Sequence, residues 1–254
     1  TKLELSEAEL KALPLPTASS AAQPAPAASG EPQRKEIRVP DLSGSSDVPV
    51  IEFAVAVGDE VEIMVDFHGR CSSVSAALQY IDAIAPARPM FAEEPVGPGD
   101  AQAMAMIAAR SPVPIATGER LLSRHETREL LEEGGCRVIQ PDLMHAGGLS
   151  EVRRIAALAE TWYVPVAPHN PGGPICTVAS MHLAAVIPNF LILEQMEPQR
   201  AARDATSHPA IAFEDGHFLL PKGPGLGVEP DLEKLKSFPF QPQPGSGRRG
   251  SLWR

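Results

Sequence analysis

The sequence predicts an α/β fold of the (β/α) barrel type, with a parallel sheet inside and helices outside. Short apolar runs alternate with segments of helical pattern, and polar residues, Gly or Pro follow each run at once. This alternation of strand and helix is typical of parallel sheets. Polar groups at the ends of the runs also recur at intervals of 23 to 27 residues. That interval is close to the roughly 30 residues of one unit in an eight-unit barrel of about 250 residues.

Six apolar runs are the candidate strands, and they cover residues 61–66, 89–93, 113–117, 137–140, 163–167 and 190–193. Two of the segments between them carry helix signals. Residues 123–135 begin with Ser123-x-x-Glu126, which is typical of a capping box, and end on Gly134-Gly135. Residues 150–162 carry apolar side chains at intervals of three and four. We therefore expect a helix in each of these two segments.

The two ends of the chain differ in composition from the region between them. Residues 14–49 are dominated by Pro, Ala, Ser and Gly, a composition that buries too little apolar surface to offset the entropy of ordering. We expect a disordered, low-complexity segment over residues 1–49, a folded barrel domain over 50–236 and a disordered tail over 237–254.

Composition narrows the classes of function. The formal net charge of -10 argues against a nucleic-acid binder, which needs clustered Lys and Arg. No apolar run approaches the roughly 20 residues that span a bilayer, so no membrane partner is expected. Cys71, Cys136 and Cys176 are an odd number without a CxxC pair, which fits neither a disulfide framework nor a structural zinc site. We therefore expect a soluble protein in the reducing cytoplasm.

Each candidate strand ends near a group that can bind a metal ion or move a proton. In chain order these groups are Asp66, Glu93, Glu119, Asp142, His169 and Glu194. One acid after a strand is usually a helix cap or a solvated loop residue. Six polar groups that recur at the spacing of the strands favour a shared functional site. Because the carboxyl ends of barrel strands face a common mouth, we expect the six groups to converge on one active site.

Three of these groups form an all-oxygen set suited to Mg²⁺, namely Asp66, Glu93 and Glu119. The neighbouring Glu94 presents a different case. Adjacent side chains on an extended segment point to opposite faces, so only one of Glu93 and Glu94 faces the barrel interior. We expect Glu94 to be an ion-pair partner, for instance of Arg120.

Two histidines are the candidates for proton transfer. His68 stands two residues after Asp66, so along a strand both side chains point to the same face, beside a substrate held by the metal. His169 is predicted to be a general base paired with Asp142, since a carboxylate beside an imidazole fixes its tautomer and raises its basicity. Three other histidines lie off the phase of the strand ends and are expected to be structural or solvated: His145, His182 and His208.

Six motifs occur in an order and at spacings that resemble one known family. They are "VDFHGR", "FAEEPV", "IATGERLLSR", "IQPDLMHAGGLSE", "APHNPGGPI" and "LILEQ", and "PKGPGLGVEPD" follows them. From about residue 50 to 230 the chain resembles the barrel part of the enolase superfamily, in its mandelate racemase group, and most closely the galactonate dehydratase type. The resemblance implies a modified barrel of which strands three to eight have counterparts here. The first two strands and the separate capping domain have none.

The resemblance also implies roles for the strand-end residues. Asp66, Glu93 and Glu119 match the Mg²⁺ ligands of the family, and His169 with Asp142 matches its base dyad. Two further residues match positions that handle the substrate. His68 matches the acid that protonates the leaving hydroxyl, and Glu194 matches the glutamate that hydrogen-bonds the carboxylate side of the enolate intermediate.

The expected function is that of a Mg²⁺-dependent lyase acting on a galactonate-like sugar acid. The proton α to the carboxylate is removed and the β-hydroxyl is eliminated, which gives a 2-keto-3-deoxy sugar acid. Such enzymes commonly form homo-oligomers, so the same is expected here. Truncation is expected to put this activity in doubt. Two alternatives stay open: a racemase or epimerase of the same superfamily, and a catalytically silent remnant that acts as an assembly module.

Overall fold

The computed structural model describes residues 62–238. The predicted N-terminal segment 1–49 and the predicted domain start at residue 50 therefore lie outside the described residues. The predicted tail lies outside them too, apart from Ser237 and Phe238.

The described part of the chain is built on a parallel sheet whose strands follow chain order. The strands are β1 (Val65–Asp66), β2 (Ala92–Glu93), β3 (Ile115–Thr117) and β4 (Val138–Ile139). Parallel bridges from Ile139 to Val166 and from Val166 to Phe190 add two further segments. All six lie within the predicted runs, so the predicted parallel α/β arrangement is confirmed.

Helices alternate with these strands. They are α1 (Val74–Ile84), α2 (Ala101–Ala108), α3 (Arg124–Glu132), α4 (Leu149–Glu160) and α5 (Pro174–Ala184). Both helices expected from the sequence are present. Ser123 caps α3 and its hydroxyl accepts a hydrogen bond from the Glu126 N–H at 3.5 Å. The Glu126 carboxylate accepts from the N–H of Leu122 at 2.6 Å, one residue before the position that a regular capping box uses.

The sheet has two apolar faces because successive side chains on a strand point in opposite directions. One face packs against the helices and carries Ala92, Ile115, Ile139 and Val166. The opposite face carries a smaller buried cluster made of Phe91, Ala116, Val138 and Ala167. This second face is the one on which the functional groups lie.

The described part of the chain closes with two small antiparallel pairs and a short helix, and the sequence analysis did not predict the pairs. After α6 (Glu197–Ala205), β5 (Ser207–His208) pairs with β8 (Glu229–Pro230), and β6 (Phe213–Glu214) pairs with β7 (His217–Phe218). The short helix α7 (Leu232–Leu235) follows. Within residues 62–238 no helix is long and apolar enough to cross a membrane.

The described sheet has two free edges. β1 lies at one edge and the Phe190 segment at the other. Ile63 and Met64 beside β1 are 37% and 44% exposed, and Leu191 and Ile192 beside Phe190 are 39% and 37% exposed. Within the part of the chain that the structure describes, these apolar edges have no further strand beside them.

Candidate active site

Glu119 lies at the centre of the strand-end groups and contacts both candidate proton-transfer histidines. Its Oε1 lies 3.5 Å from His68 Nδ1, and its Oε2 lies 3.2 Å from His169 Nε2. Glu119 is buried, whereas His68 is half exposed. One buried carboxylate therefore separates the two imidazoles.

The position of Glu119 depends on the glycine before it. Thr117 pairs in register with Ile139, whose side chain faces the helices, so regular alternation would place Glu119 on the helix side as well. Gly118 interrupts the alternation because its φ is 141°, a conformation that side chains rarely allow. A Cβ at this position would also lie 2.8 Å from the backbone nitrogen of Gln140.

Asp66 and His68 are in contact, as predicted, but for a different reason. β1 ends at Asp66, and His68 has a φ of 50°, so the premise of one extended strand through both residues is wrong. Instead the chain turns, and the His68 N–H donates to Asp66 Oδ1 at 2.6 Å. The turn leaves His68 Nδ1 at 3.6 Å from Asp66 Oδ2.

Glu93 and Glu94 differ in their contacts, but Glu94 has a φ of 38°, so the premise of an extended segment through both residues is wrong. The ion pair expected for Glu94 is confirmed, with Arg120 Nη2 at 3.0 Å from Glu94 Oε2. Glu93 pairs in register with Asp66, so both lie on the site face of the sheet. Burial raises the pKa of Glu93 to about 8, and the charges of Asp66, Glu194 and Glu119 contribute to the rise.

The predicted partnership of His169 with Asp142 is present as a short hydrogen bond. His169 Nδ1 donates to Asp142 Oδ2 at 2.7 Å. The other carboxylate oxygen, Oδ1, accepts from the N–H groups of Met144 at 2.6 Å and His145 at 3.1 Å. Asp142 is fully buried, and all three donors satisfy its carboxylate.

Two opposing effects set the pKa values of this pair. Burial would raise the pKa of Asp142, but the hydrogen bonds from His169, Met144 and His145 prevail and lower it. Burial would lower the pKa of His169, but its hydrogen bond to Asp142 and the charges of Glu194 and Glu119 prevail and raise it. The imidazole is therefore more basic than an isolated histidine.

Glu194 reaches the same site through a residue that sequence analysis missed. Its Oε2 lies 4.0 Å from His169 Nε2 and accepts from the Asn170 N–H at 2.6 Å. The Asn170 amide donates in turn to the Glu194 carbonyl at 3.0 Å, and Thr177 Oγ1 donates to Asn170 Oδ1 at 3.3 Å. Asn170 and Thr177 are buried. The only signal in the sequence was the place of Asn170 directly after His169.

Three other histidines, His145, His182 and His208, were expected to be structural or solvated. His145 donates from Nδ1 to the Glu119 carbonyl at 3.0 Å, and His182 Nε2 lies 3.0 Å from the Leu226 carbonyl. His208 is exposed in β5. His145 lies nearer to the site than predicted, with its ring centroid 6.3 Å from that of His169.

Carboxylates predominate where a metal ion would bind. His68, Glu94 and Glu119 each offer a ligand atom, and these atoms lie within 4.8 Å of one another. Asp66 and Glu93 are not members of that set, so the predicted ligand set of Asp66, Glu93 and Glu119 stays a prediction. Buried acids that repel one another, as the raised pKa of Glu93 indicates, are the chemistry that a hard cation relieves.

Comparisons with known proteins agree with this geometry. The family described as enolase C-terminal domain-like matches residues 44–235. The D-galactonate dehydratase of Ralstonia nicotianae is 42% identical over 200 residues, which are 75% of this chain and 52% of that protein. The D-galactonate dehydratase of Ralstonia pickettii is 39% identical over 218 residues, which are 81% of this chain and 57% of that protein. The chain thus spans about half the length of the curated relatives it matches.

Solved structures give the same picture. A mandelate racemase/muconate lactonizing enzyme-like protein from a Roseovarius species has a TM-score of 0.68 and 38% identity, over 71% of this chain and 45% of that chain. An enolase from Agrobacterium radiobacter, bound to Na and L-malate, has a TM-score of 0.65 and 37% identity, over 69% of this chain and 48% of that chain.

Proposed function

Because the chain belongs to the enolase superfamily, whose C-terminal domain-like family matches residues 44–235, we propose that it dehydrates a sugar acid of the galactonate type. The observation that carries the proposal is the arrangement of two imidazoles around one buried carboxylate. His169 and His68 contact different oxygens of Glu119, at 3.2 Å and 3.5 Å. A reaction that takes a proton from one carbon and gives a proton to a neighbouring oxygen needs two such groups.

His169 is the general base of the proposed reaction. Its Nδ1 is held by Asp142 at 2.7 Å, which leaves Nε2 to accept the proton from the carbon next to the substrate carboxylate. The raised pKa of His169 strengthens it as a base. His68 is half exposed at the end of β1 and protonates the departing β-hydroxyl, which leaves as water. The enol that remains becomes the 2-keto-3-deoxy acid.

Asp66, Glu93 and Glu119 are the residues that would hold Mg²⁺ in this reaction. When bound, the cation stabilises the negative charge that develops on the substrate carboxylate. We favour Glu93 over Glu94 as a ligand because Glu93 pairs in register with Asp66 on the site face of the sheet. Burial raises the pKa values of Glu93 and Asp66, and the charge of Glu119 adds to both rises; a bound cation would offset this cost.

Relatives support the substrate class. The two Ralstonia proteins are named for D-galactonate, and the Agrobacterium structure holds L-malate, which is itself a 2-hydroxy acid. We propose that Glu194 hydrogen-bonds the carboxylate side of the enolate intermediate, and its Oε2, 4.0 Å from His169 Nε2, supports this role. We propose that the protein works as a cytoplasmic homo-oligomer, and its three free cysteines fit a reducing compartment.

The test is an assay of the purified chain with Mg²⁺ against a panel of aldonic and aldaric acids, with detection of the 2-keto product. We expect turnover of a galactonate-like acid, and we expect His169→Asn to abolish it. His125→Asn, an exposed position on α3, is the matched control and should keep full activity. If no acid is turned over although Mg²⁺ raises the melting temperature, the chain is a metal-binding assembly module and the enzyme proposal fails.

A further inference from the structure

The Arg120 side chain contacts three consecutive strand-end segments of the site. Its Nε lies 3.1 Å from Glu119 Oε1, and its Nη2 lies 3.0 Å from Glu94 Oε2. The same Nη2 donates to the His68 carbonyl at 3.1 Å. The side chain is only 17% exposed. A guanidinium can make these contacts together because its donors are fixed in a planar fork, which a lysine ammonium does not provide.

The backbone of His68 gives these contacts a consequence for the proposed acid. A φ of 50° is a conformation that residues other than glycine adopt only when their surroundings hold them there. Both polar groups of the His68 backbone are held: its N–H donates to Asp66, and its carbonyl accepts from Arg120. The direction of the imidazole therefore depends on Asp66 at one end of the residue and on Arg120 at the other.

Gly69 gives the guanidinium its space. A Cβ on Gly69 would lie 2.8 Å from Arg120 Nη1 and 3.1 Å from the Cα of Gly97. The Gly69 N–H donates to the Glu94 carbonyl at 2.7 Å, so a backbone hydrogen bond also joins the turn after β1 to the end of β2. The turn at His68, Gly69 and the Arg120 side chain therefore depend on one another.

The geometry points to Arg120 as a positioning residue that sets where His68 delivers its proton. This role rests on the proposed dehydration. Arg120 occupies Glu119 Oε1, and Oε2 is left at 3.2 Å from His169 Nε2. Arg120 does not itself touch the reacting atoms.

The test compares Arg120→Lys with Arg124→Lys. Arg124 bonds Glu151 at 2.8 Å and is 41% exposed, so it is a matched control on the neighbouring helix. Two reactions are measured in deuterated water: exchange of the α-proton of the substrate, which needs only the base, and elimination, which also needs His68. For Arg120→Lys we expect elimination to fall about 100-fold, the cost of a displaced catalytic group, and exchange to fall less than 10-fold. Equal losses in both reactions would overturn the inference.

A second readout needs neither turnover nor metal. NMR signals of the imidazole nitrogens are recorded in metal-free protein, with His68→Gln to assign the signal of His68. Arg120→Lys should shift that signal and leave the His125 signal in place, and Arg124→Lys should shift neither. An unchanged His68 signal overturns the inference even if the chain proves inactive. If Arg120→Lys does not fold, Gly69→Ala displaces the same guanidinium and is expected to shift the His68 signal equally.

Discussion

The two sides of the site bury acids in opposite ways. On the side formed by β1 and β2, burial raises the pKa of Asp66 and raises that of Glu93 to about 8. On the side formed by β4 and the following segment, Asp142 is fully buried, yet its pKa is lowered. The difference lies in the donors. Asp142 accepts three hydrogen bonds, whereas Asp66 accepts one from the His68 N–H and stands near other acids.

We call the side formed by β4 and the following segment the self-sufficient half, and the side formed by β1 and β2 the incomplete half. The His169 and Asp142 pair already has the partners that its charges need. The carboxylates of β1 and β2 lack comparable positive charge, and Arg120 is shared between Glu94 and Glu119. We therefore expect a bound cation to change the properties of the first side strongly and those of the second side little.

The largest expected effect comes from breaking the self-sufficient side. Asp142→Asn replaces an acceptor of the His169 N–H by a group that favours the wrong tautomer, so we expect turnover to fall about 10⁴-fold. Mg²⁺ binding should be unchanged, as measured by the shift in melting temperature. Asp100→Asn is the control, because Asp100 caps α2 and asparagine caps a helix equally well. A loss of the Mg²⁺ response in Asp142→Asn would contradict the separation of the two halves.

Metal removal tests the incomplete side. With Mg²⁺ at 100 times its dissociation constant, we expect a stabilisation of about 2.7 kcal/mol, or a rise in melting temperature of about 5–10 °C. Glu93→Gln should abolish most of this rise because it removes a predicted ligand. Glu133→Gln at the end of α3 is an exposed control and should keep the rise. An equal response in wild type and Glu93→Gln would remove Glu93 from the ligand set.

The pH dependence of stability tests the same side without metal. The pKa of Glu93 is about 8 in the folded chain and close to 4.5 when unfolded. Below pH 4.5 the carboxyl is protonated in both states and contributes nothing. Between pH 4.5 and 8 the folded state binds more protons, so the free energy of unfolding falls as the pH rises. We expect a loss of about 1 kcal/mol between pH 6 and 8, measured by urea unfolding in EDTA. Burial also raises the pKa of Glu94 to about 7, so Glu93→Gln should reduce this slope without removing it. An unchanged slope would assign it to Glu94 or another group.

Most of the sheet could be predicted from the sequence, because short apolar runs at regular intervals have few other solutions. The same regularity identified the strand-end groups, but Glu94 makes its ion pair at a φ of 38°, outside the extended segment that alternation assumes. Alternation failed where the backbone leaves the extended region. His68 has a positive φ, and Gly118 turns Glu119 towards the site. A periodic pattern of apolar and polar residues does not show where the backbone adopts a positive φ.

Long-range hydrogen bonds were also beyond the sequence. Asn170 bonds Glu194, which lies 24 residues away, and the sequence offers no sign of which carbonyl a buried amide will reach. The pairs β5 with β8 and β6 with β7 were missed because each of these strands contains a polar residue and does not belong to a longer apolar run of the kind that predicted β1 to β4.

The smallest expected effect concerns the hydrogen bond behind Asn170. Thr177→Val keeps the shape of a fully buried side chain but removes the donor to Asn170 Oδ1 at 3.3 Å. Because the lost bond is long, we expect a destabilisation of about 1 kcal/mol and a melting temperature lower by about 2–4 °C. The value of kcat/KM should fall less than 10-fold, through a higher KM and not a lower kcat. The reason is that Asn170 holds Glu194, a proposed substrate contact, and not the base His169.

Thr127→Val is the matched control for that change. Thr127 is also buried, and its hydroxyl donates to the Ser123 carbonyl at 3.0 Å, away from Asn170. A similar loss of stability is expected there, with no change in KM. If both variants changed KM alike, the effect would reflect general loosening of the fold. If only Thr177→Val changed KM, substrate binding in the self-sufficient half would depend on the hydrogen bond from Thr177 to Asn170, although neither side chain is proposed to contact the substrate.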